Sequence, residues 1–125
     1  CDYRLVTEDT VIVNHSLSGG FPACGALAWF LVRHVGYGRA AHLLMERETI
    51  GAREALDLAL VDRLVAAGDL EKEIRARAEG FARTPGRGLA TMKRLLAASE
   101  RELDAYLDAE SAIFERWLSG RESDT

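Results

Sequence analysis

The spacing of apolar residues changes partway along the chain. Residues 3–6 and 11–14 are short β-type runs, separated by the polar group Thr7-Glu8-Asp9-Thr10, and they predict two strands. Residues 16–22 predict a loop, in which Ser18-Gly19-Gly20 supply turn chemistry and Pro22 closes the segment. An apolar run over residues 23–34 predicts a helix, with proline tolerated at its start because the missing N–H has no partner there. Gly36 and Gly38 interrupt that run and start a second helix over residues 39–45. Thr49-Ile50-Gly51 leads into a helix from Ala52, with Glu54 near its positive end. Leu60, Val61, Leu64 and Val65 form an apolar cluster with two β-branched members, which predicts a strand over residues 61–65.

Beyond Ala67 the spacing is three and four throughout. Asp69 is the expected cap of a helix with the inner face Leu70, Ile74, Ala78 and Phe81. Thr84-Pro85-Gly86 breaks it, and an amphipathic stretch from Leu89 to Trp117 predicts a long helical region over residues 88–118. A polar tail follows, residues 121–125, and no internal repeat is visible. The expected fold class is α/β, with a mixed segment over residues 1–66 and a helical region over 67–125 that share one unit.

Composition narrows the function classes. At 125 residues, 48% hydrophobic and 29% charged, the chain has the make-up of a globular domain with a real core. The net charge of −4, with no basic block, argues against a nucleic-acid partner. Arg33, Arg39, Lys93 and Arg94 read as solvated helix faces. The apolar run over residues 23–32 is too short to span a bilayer, which needs about 20 residues, so no membrane partner is expected. Cys1 and Cys24 make no disulfide framework. They read as small core residues, consistent with a reducing, cytoplasmic compartment.

Several segments together resemble the crotonase (enoyl-CoA hydratase/isomerase) superfamily. Gly36-Tyr37-Gly38-Arg39-Ala40-Ala41 through Ile50, Ala52, Glu54-Ala55 and Leu60-Val61 to Val65 follows that family's run from a glycine-started helix to a G-L-V-x-x-V-V strand. Cys1-Asp2-Tyr3-Arg4 with Glu8 is similar to its C-D-x-R strand and turn. Pro22 with Gly25, then Arg33 and Val35-Gly36, is similar to its P-x-x-G helix, and Pro85 with Lys93-Arg94-Leu95-Leu96 to its P-x-x-x-x-x-x-K-x-x-x segment. The resemblance runs from Cys1 to about Leu118. It implies a crotonase-like ββα spiral segment over residues 1–66, followed by a helical, trimerisation-type region over 67–125. It implies an acyl-CoA thioester substrate, no cofactor apart from coenzyme A as part of the substrate, and a homo-trimer or hexamer. The family's glycine-rich stretch, whose backbone N–H groups form its oxyanion hole, falls before Cys1. Gly120 to Thr125 resembles the stretch before the family's last helix. The chain is therefore expected to be a segment of a longer protein or one of two pieces.

Hydratases of that family carry a glutamate just after the second strand, in the pattern F-G-x-P-E. An ungapped reading places Ile12-Val13-Asn14-His15-Ser16 there, with Ser16 at the glutamate position. A hydroxyl is a poor general base at neutral pH. Histidine as a residue type titrates near neutral pH, so His15 is the candidate base, against a loop-edge histidine that only bonds backbone. Ser16 and Asn14 are candidate catalytic-loop groups, against a local turn hydrogen bond. Gly20, Phe21, Pro22, Cys24 and Gly25, at the entry to a helix, are candidates for substrate binding through backbone N–H groups, against glycines that only make the turn and a packed structural cysteine. His34, His42 and His15 are scattered without carboxylate spacing, so no metal site is expected. Glu46, Arg47 and Glu48 read as a solvated helix end, and Ala59 departs from the family's glycine. The implied activity is enolate stabilisation on a thioester, hydratase/isomerase-like but without the usual hydratase glutamate. The alternative is a non-catalytic crotonase-like subunit serving assembly or thioester binding.

Overall fold

The computed structural model describes residues 2–47, 49–98 and 102–120. Cys1, Glu48 and the tail 121–125, each given a role above, lie outside the described residues. Four three-residue strands and six helices follow in the order β1 Leu5–Thr7, β2 Val11–Val13, α1 Leu27–Val35, α2 Tyr37–Met45, β3 Thr49–Gly51, α3 Ala52–Asp57, β4 Arg63–Val65, α4 Leu70–Arg83, α5 Gly86–Ala98 and α6 Leu103–Leu118. β1 runs parallel to β4, with Leu5 opposite Arg63 and Thr7 opposite Val65. β2 runs antiparallel to β3, with Val11 opposite Gly51 and Val13 opposite Thr49. Among the described residues no strand lies between Leu70 and Leu118.

The core sits where α2, α3 and the strands converge. Leu43, Ile50, Ala55 and Val61 form its centre, with Val6, Ile12, Leu31 and Val35 packed around them. Ala40 and Ala55 are fully enclosed, their small side chains filling closely packed positions on α2 and α3. α4, α5 and α6 bury no residue completely, and Met92, Leu95, Leu96 and Leu118 stay more than half exposed.

The helix expected from Ala23 begins four residues later. Gly25 (φ 69°) and Ala26 (φ 58°) are both left-handed, and that conformation cannot propagate a right-handed helix. Cys24 is consequently exposed rather than packed in the core. Thr49–Gly51 is a strand of its own, where the sequence reading had only a lead into α3. Three residues are too few to show an alternation, and the pairing with β2 holds them. Asp69 makes no side-chain cap. It sits in a short 3₁₀ turn, Ala67–Asp69, that leads directly into α4.

Charged side chains tie elements together, among them Arg47 and Lys93, which the sequence reads as solvated. Arg4 donates from its backbone N–H to Asp62 Oδ2 at 2.7 Å and from Nε to the same oxygen at 3.1 Å, binding the start of β1 to the turn before β4. That hydrogen bond, opposed by partial burial, holds the Asp62 carboxyl below its usual range. Lys93 of α5 reaches Asp2 at 2.7 Å, and Arg47 reaches Glu54 at 2.8 Å. Tyr3 meets Phe81 edge-on at 6.3 Å, with Arg77 4.8 Å above the Tyr3 ring, which seats α4 beside β1.

Ala59 has φ 56°, and this is the position where the family pattern carries glycine. Its Cβ strains the turn that directs the chain into β4. Ala59→Gly is expected to stabilise the protein by about 0.5–1 kcal/mol, the left-handed penalty less the added freedom of the unfolded chain. Urea unfolding checks this; a lower midpoint in the variant would show that the turn carries no strain.

Candidate active site

The residues after β2 fold back on themselves. Ser16 donates from Oγ to Asn14 Oδ1 at 2.8 Å and from its N–H to the same oxygen at 3.3 Å, which fixes the Asn14 amide as a local acceptor. The N–H of Gly19 donates to the His15 carbonyl at 2.7 Å and that of Phe21 to the Ser16 carbonyl at 2.9 Å. Ser18 Oγ also reaches the His15 carbonyl, at 3.3 Å. A Cβ on Gly19 would run into the Phe21 ring and come within 2.8 Å of the His15 oxygen, so this coil needs glycine for space. Gly20, at φ 76°, completes the turn, and Phe21 lies exposed at its tip.

A cleft of about 310 Å³ opens between this loop, α1, the end of α2, and α6. Ser16, Pro22, Ala28, Leu44, Tyr106 and Glu110 are among its walls. Its surface is mainly apolar, with few polar groups, which suits a ligand having an apolar body and a polar attachment point. A second depression of about 340 Å³ adjoins Cys24, Phe114 and Glu115, and Glu110 borders both. A third, of about 170 Å³, brings Asn14 beside Ser18, Met45 and Arg47. The structure thus brings Ser16 and Pro22 to one cleft, turns Asn14 toward the adjacent one, and leaves His15 exposed beside them. Cys24 faces α6, and Gly25 forms the first of the two left-handed residues before α1.

Contacts from α6, for which the sequence offers little signal, close the other side of the cleft. Glu110 accepts the Ala26 N–H with both carboxylate oxygens, at 3.1 and 3.2 Å. Glu102 pairs with Arg33 at 3.3 Å, and the Arg33 guanidinium lies 3.5 Å above the Trp29 ring. Burial, and next the Glu110 charge, push the Tyr106 hydroxyl above its ordinary range, while a backbone hydrogen bond from Trp29 works the other way. A signal for Glu110 was present: it stands on the stripe Leu103, Tyr106, Leu107, Ile113, Phe114 and Trp117, where every other member is apolar or aromatic. His34 bonds the Phe30 carbonyl at 2.9 Å and His42 bonds Glu46 at 3.1 Å, both within their own helices. Among the described residues no cluster of histidine, cysteine and acidic side chains could hold a metal ion. None of the helices there is long and apolar enough to cross a membrane.

Small paired strands, helices and an apolar cleft behind a β–loop–α turn accompany a family match. Residues 1–124 match the model of the enoyl-CoA hydratase/isomerase family, and the chain belongs to that family. It is 35% identical over 96 residues to a protein described as "Probable enoyl-CoA hydratase" from Rhodobacter capsulatus, covering 76% of this chain and 37% of that one. A 4-chlorobenzoyl coenzyme A dehalogenase from Arthrobacter is 28% identical over 85 residues, 68% of this chain and 31% of its own. The crystal structure of an enoyl-CoA hydratase/isomerase from Pseudoalteromonas atlantica superposes with a TM-score of 0.86 at 26% identity, covering 94% of this chain and 47% of that one. The chain spans well under half the length of the curated relatives it matches. The crotonase-type fold, α/β with a helical C-terminal region, is therefore as the resemblance implied.

Proposed function

We propose that the protein containing this chain is an enzyme that binds an acyl-CoA, or acyl-carrier, thioester and stabilises its enolate. The observation that supports this reading is the loop 14–22, which walls an apolar cleft of about 310 Å³ in a chain matching the enoyl-CoA hydratase/isomerase family. In this reading Ser16 takes the place of the hydratase glutamate, its hydroxyl donates to Asn14 and leaves only the oxygen as an acceptor beside the substrate, and His15 moves the proton. The turn through Gly20, Phe21 and Pro22, with Cys24 and Gly25 behind it, shapes the acyl side of the site. That one relative is named for dehalogenating 4-chlorobenzoyl coenzyme A supports a reaction other than simple hydration. No cofactor beyond the substrate's own coenzyme A enters the proposal, and the compartment it fits is cytoplasmic.

A second reading is a non-catalytic subunit that binds thioesters or serves assembly, favoured by the absence of a carboxylate on residues 14–16. Turnover of the full-length protein against a panel of acyl- and enoyl-CoA thioesters separates the two. Tight binding without turnover of any member would decide for the subunit. Self-association into a trimer or a hexamer belongs to both readings, because Met92, Leu95, Leu96 and Leu118 expose apolar surface on α5 and α6. Light scattering of the full-length protein is expected to give a multiple of three protomers, and a monomer would refute that assembly.

A further inference from the structure

We infer that Glu110 is a positioning residue that docks α6 onto the start of α1 and thereby sets the wall of the cleft beside Ser16. Glu102, Tyr106 and Glu110 are spaced by four, so they share one face of α6 and its N-terminal flank. Two counterparts on α1 and its flank run in the opposite order: Arg33 to Glu102 and the Ala26 N–H to Glu110. The two helices are therefore joined along an antiparallel polar seam. The Glu110 end of that seam is special in its geometry. Gly25 and Ala26 are both left-handed, so the Ala26 N–H precedes the helix and has no carbonyl four residues back to accept it. A carboxylate placed there satisfies the donor and stands at the positive end of α1. Glu110 and Tyr106 also line the cleft that Ser16 and Pro22 line from the other side. Loss of the contact would release the α6 wall and the turn carrying Pro22 together.

The test uses the full-length protein with Glu110→Ala and Glu110→Gln. The glutamine keeps a carbonyl oxygen for the Ala26 N–H but not the charge. Amide exchange at Ala26, read by mass spectrometry with fragmentation to single amides, is expected to speed up about tenfold or more in Glu110→Ala and to return close to the parent rate in Glu110→Gln. The Tyr106 phenol, followed by ultraviolet absorbance against a Tyr106→Phe control, is expected to titrate at lower pH in both variants, since each removes the negative charge that opposes its ionisation. Unchanged Ala26 exchange in Glu110→Ala, or an unmoved Tyr106 titration in Glu110→Gln, overturns the assignment. The inference deepens the thioester reading through one further measurement, the dissociation constant of octanoyl-CoA, expected to weaken in Glu110→Ala and to be rescued in Glu110→Gln. A parent protein that fails to bind octanoyl-CoA counts against the thioester reading, whereas the exchange and titration results decide the role of Glu110 by themselves.

Discussion

Replacing Trp29 by alanine is expected to destabilise the protein by about 3–5 kcal/mol, the range for removing a large buried aromatic side chain. Trp29 is 5% exposed and is the bulkiest member of a buried set otherwise made of alanines, valines, one leucine and one isoleucine. Its ring meets Phe30 edge-on at 4.8 Å and carries the Arg33 guanidinium 3.5 Å above its face. The alanine variant loses the apolar contact and the cation–π contact and leaves a void that α1 cannot close, because the α1–α2 junction at Gly36 fixes its far end. Trp29→Phe retains part of the packing and is expected to cost less, about 1–2 kcal/mol. Urea unfolding by circular dichroism measures both, with an unchanged slope confirming that only stability moved. A loss below about 1 kcal/mol in Trp29→Ala would mean that α1 contributes little to the core.

The helical half of the fold was legible because its signal is long. A three- and four-residue spacing sustained from Leu70 to Trp117 is repeated often enough to be unambiguous, and α4, α5 and α6 occupy that span. The strands were legible only in part. β1 and β4 each begin two residues later than the apolar runs suggested, with β4 ending at Val65 as expected, and β3 carried no usable pattern, because each is three residues long and defined by its partner rather than by its own sequence. The start of α1 was misplaced for a related reason. The left-handed pair Gly25–Ala26 is stabilised by the α6 carboxylate 84 positions away in sequence, and no local propensity encodes that. The loop 14–22 was readable as a loop, but not that Asn14 and Ser16 would bond each other and face different clefts. Arg33 and Lys93 looked like surface charges in the sequence. Their roles depend on partners, Glu102 and Asp2, that only the folded arrangement supplies.

Changing His15 to glutamine is expected to lower thioester turnover by about 10²-fold or more, the lower end of what a general base contributes. That is about 2.7 kcal/mol of transition-state stabilisation at 1.36 kcal/mol per tenfold. In the proposed reading Ser16 takes the place of the hydratase carboxylate, and its hydroxyl is already donated to Asn14 Oδ1 at 2.8 Å, so it is neither a base nor a free donor in this state. Simple enoyl-CoA substrates should therefore be hydrated poorly. Of residues 14–16, only histidine is a residue type able to gain and lose a proton near neutral pH. Its carbonyl, held by the Gly19 N–H at 2.7 Å, anchors its backbone beside the cleft while the side chain stays exposed to whatever part of the protein or substrate meets this face. Glutamine keeps the size and hydrogen-bonding capacity but cannot carry the proton, so a true base shows the loss in kcat with the KM for the thioester nearly unchanged. Turnover that is unaltered in His15→Gln removes this residue from the mechanism and moves the proton transfer to a group outside residues 14–16. Efficient hydration by Ser16→Ala would go further, showing that the loop does not face the reacting carbons at all.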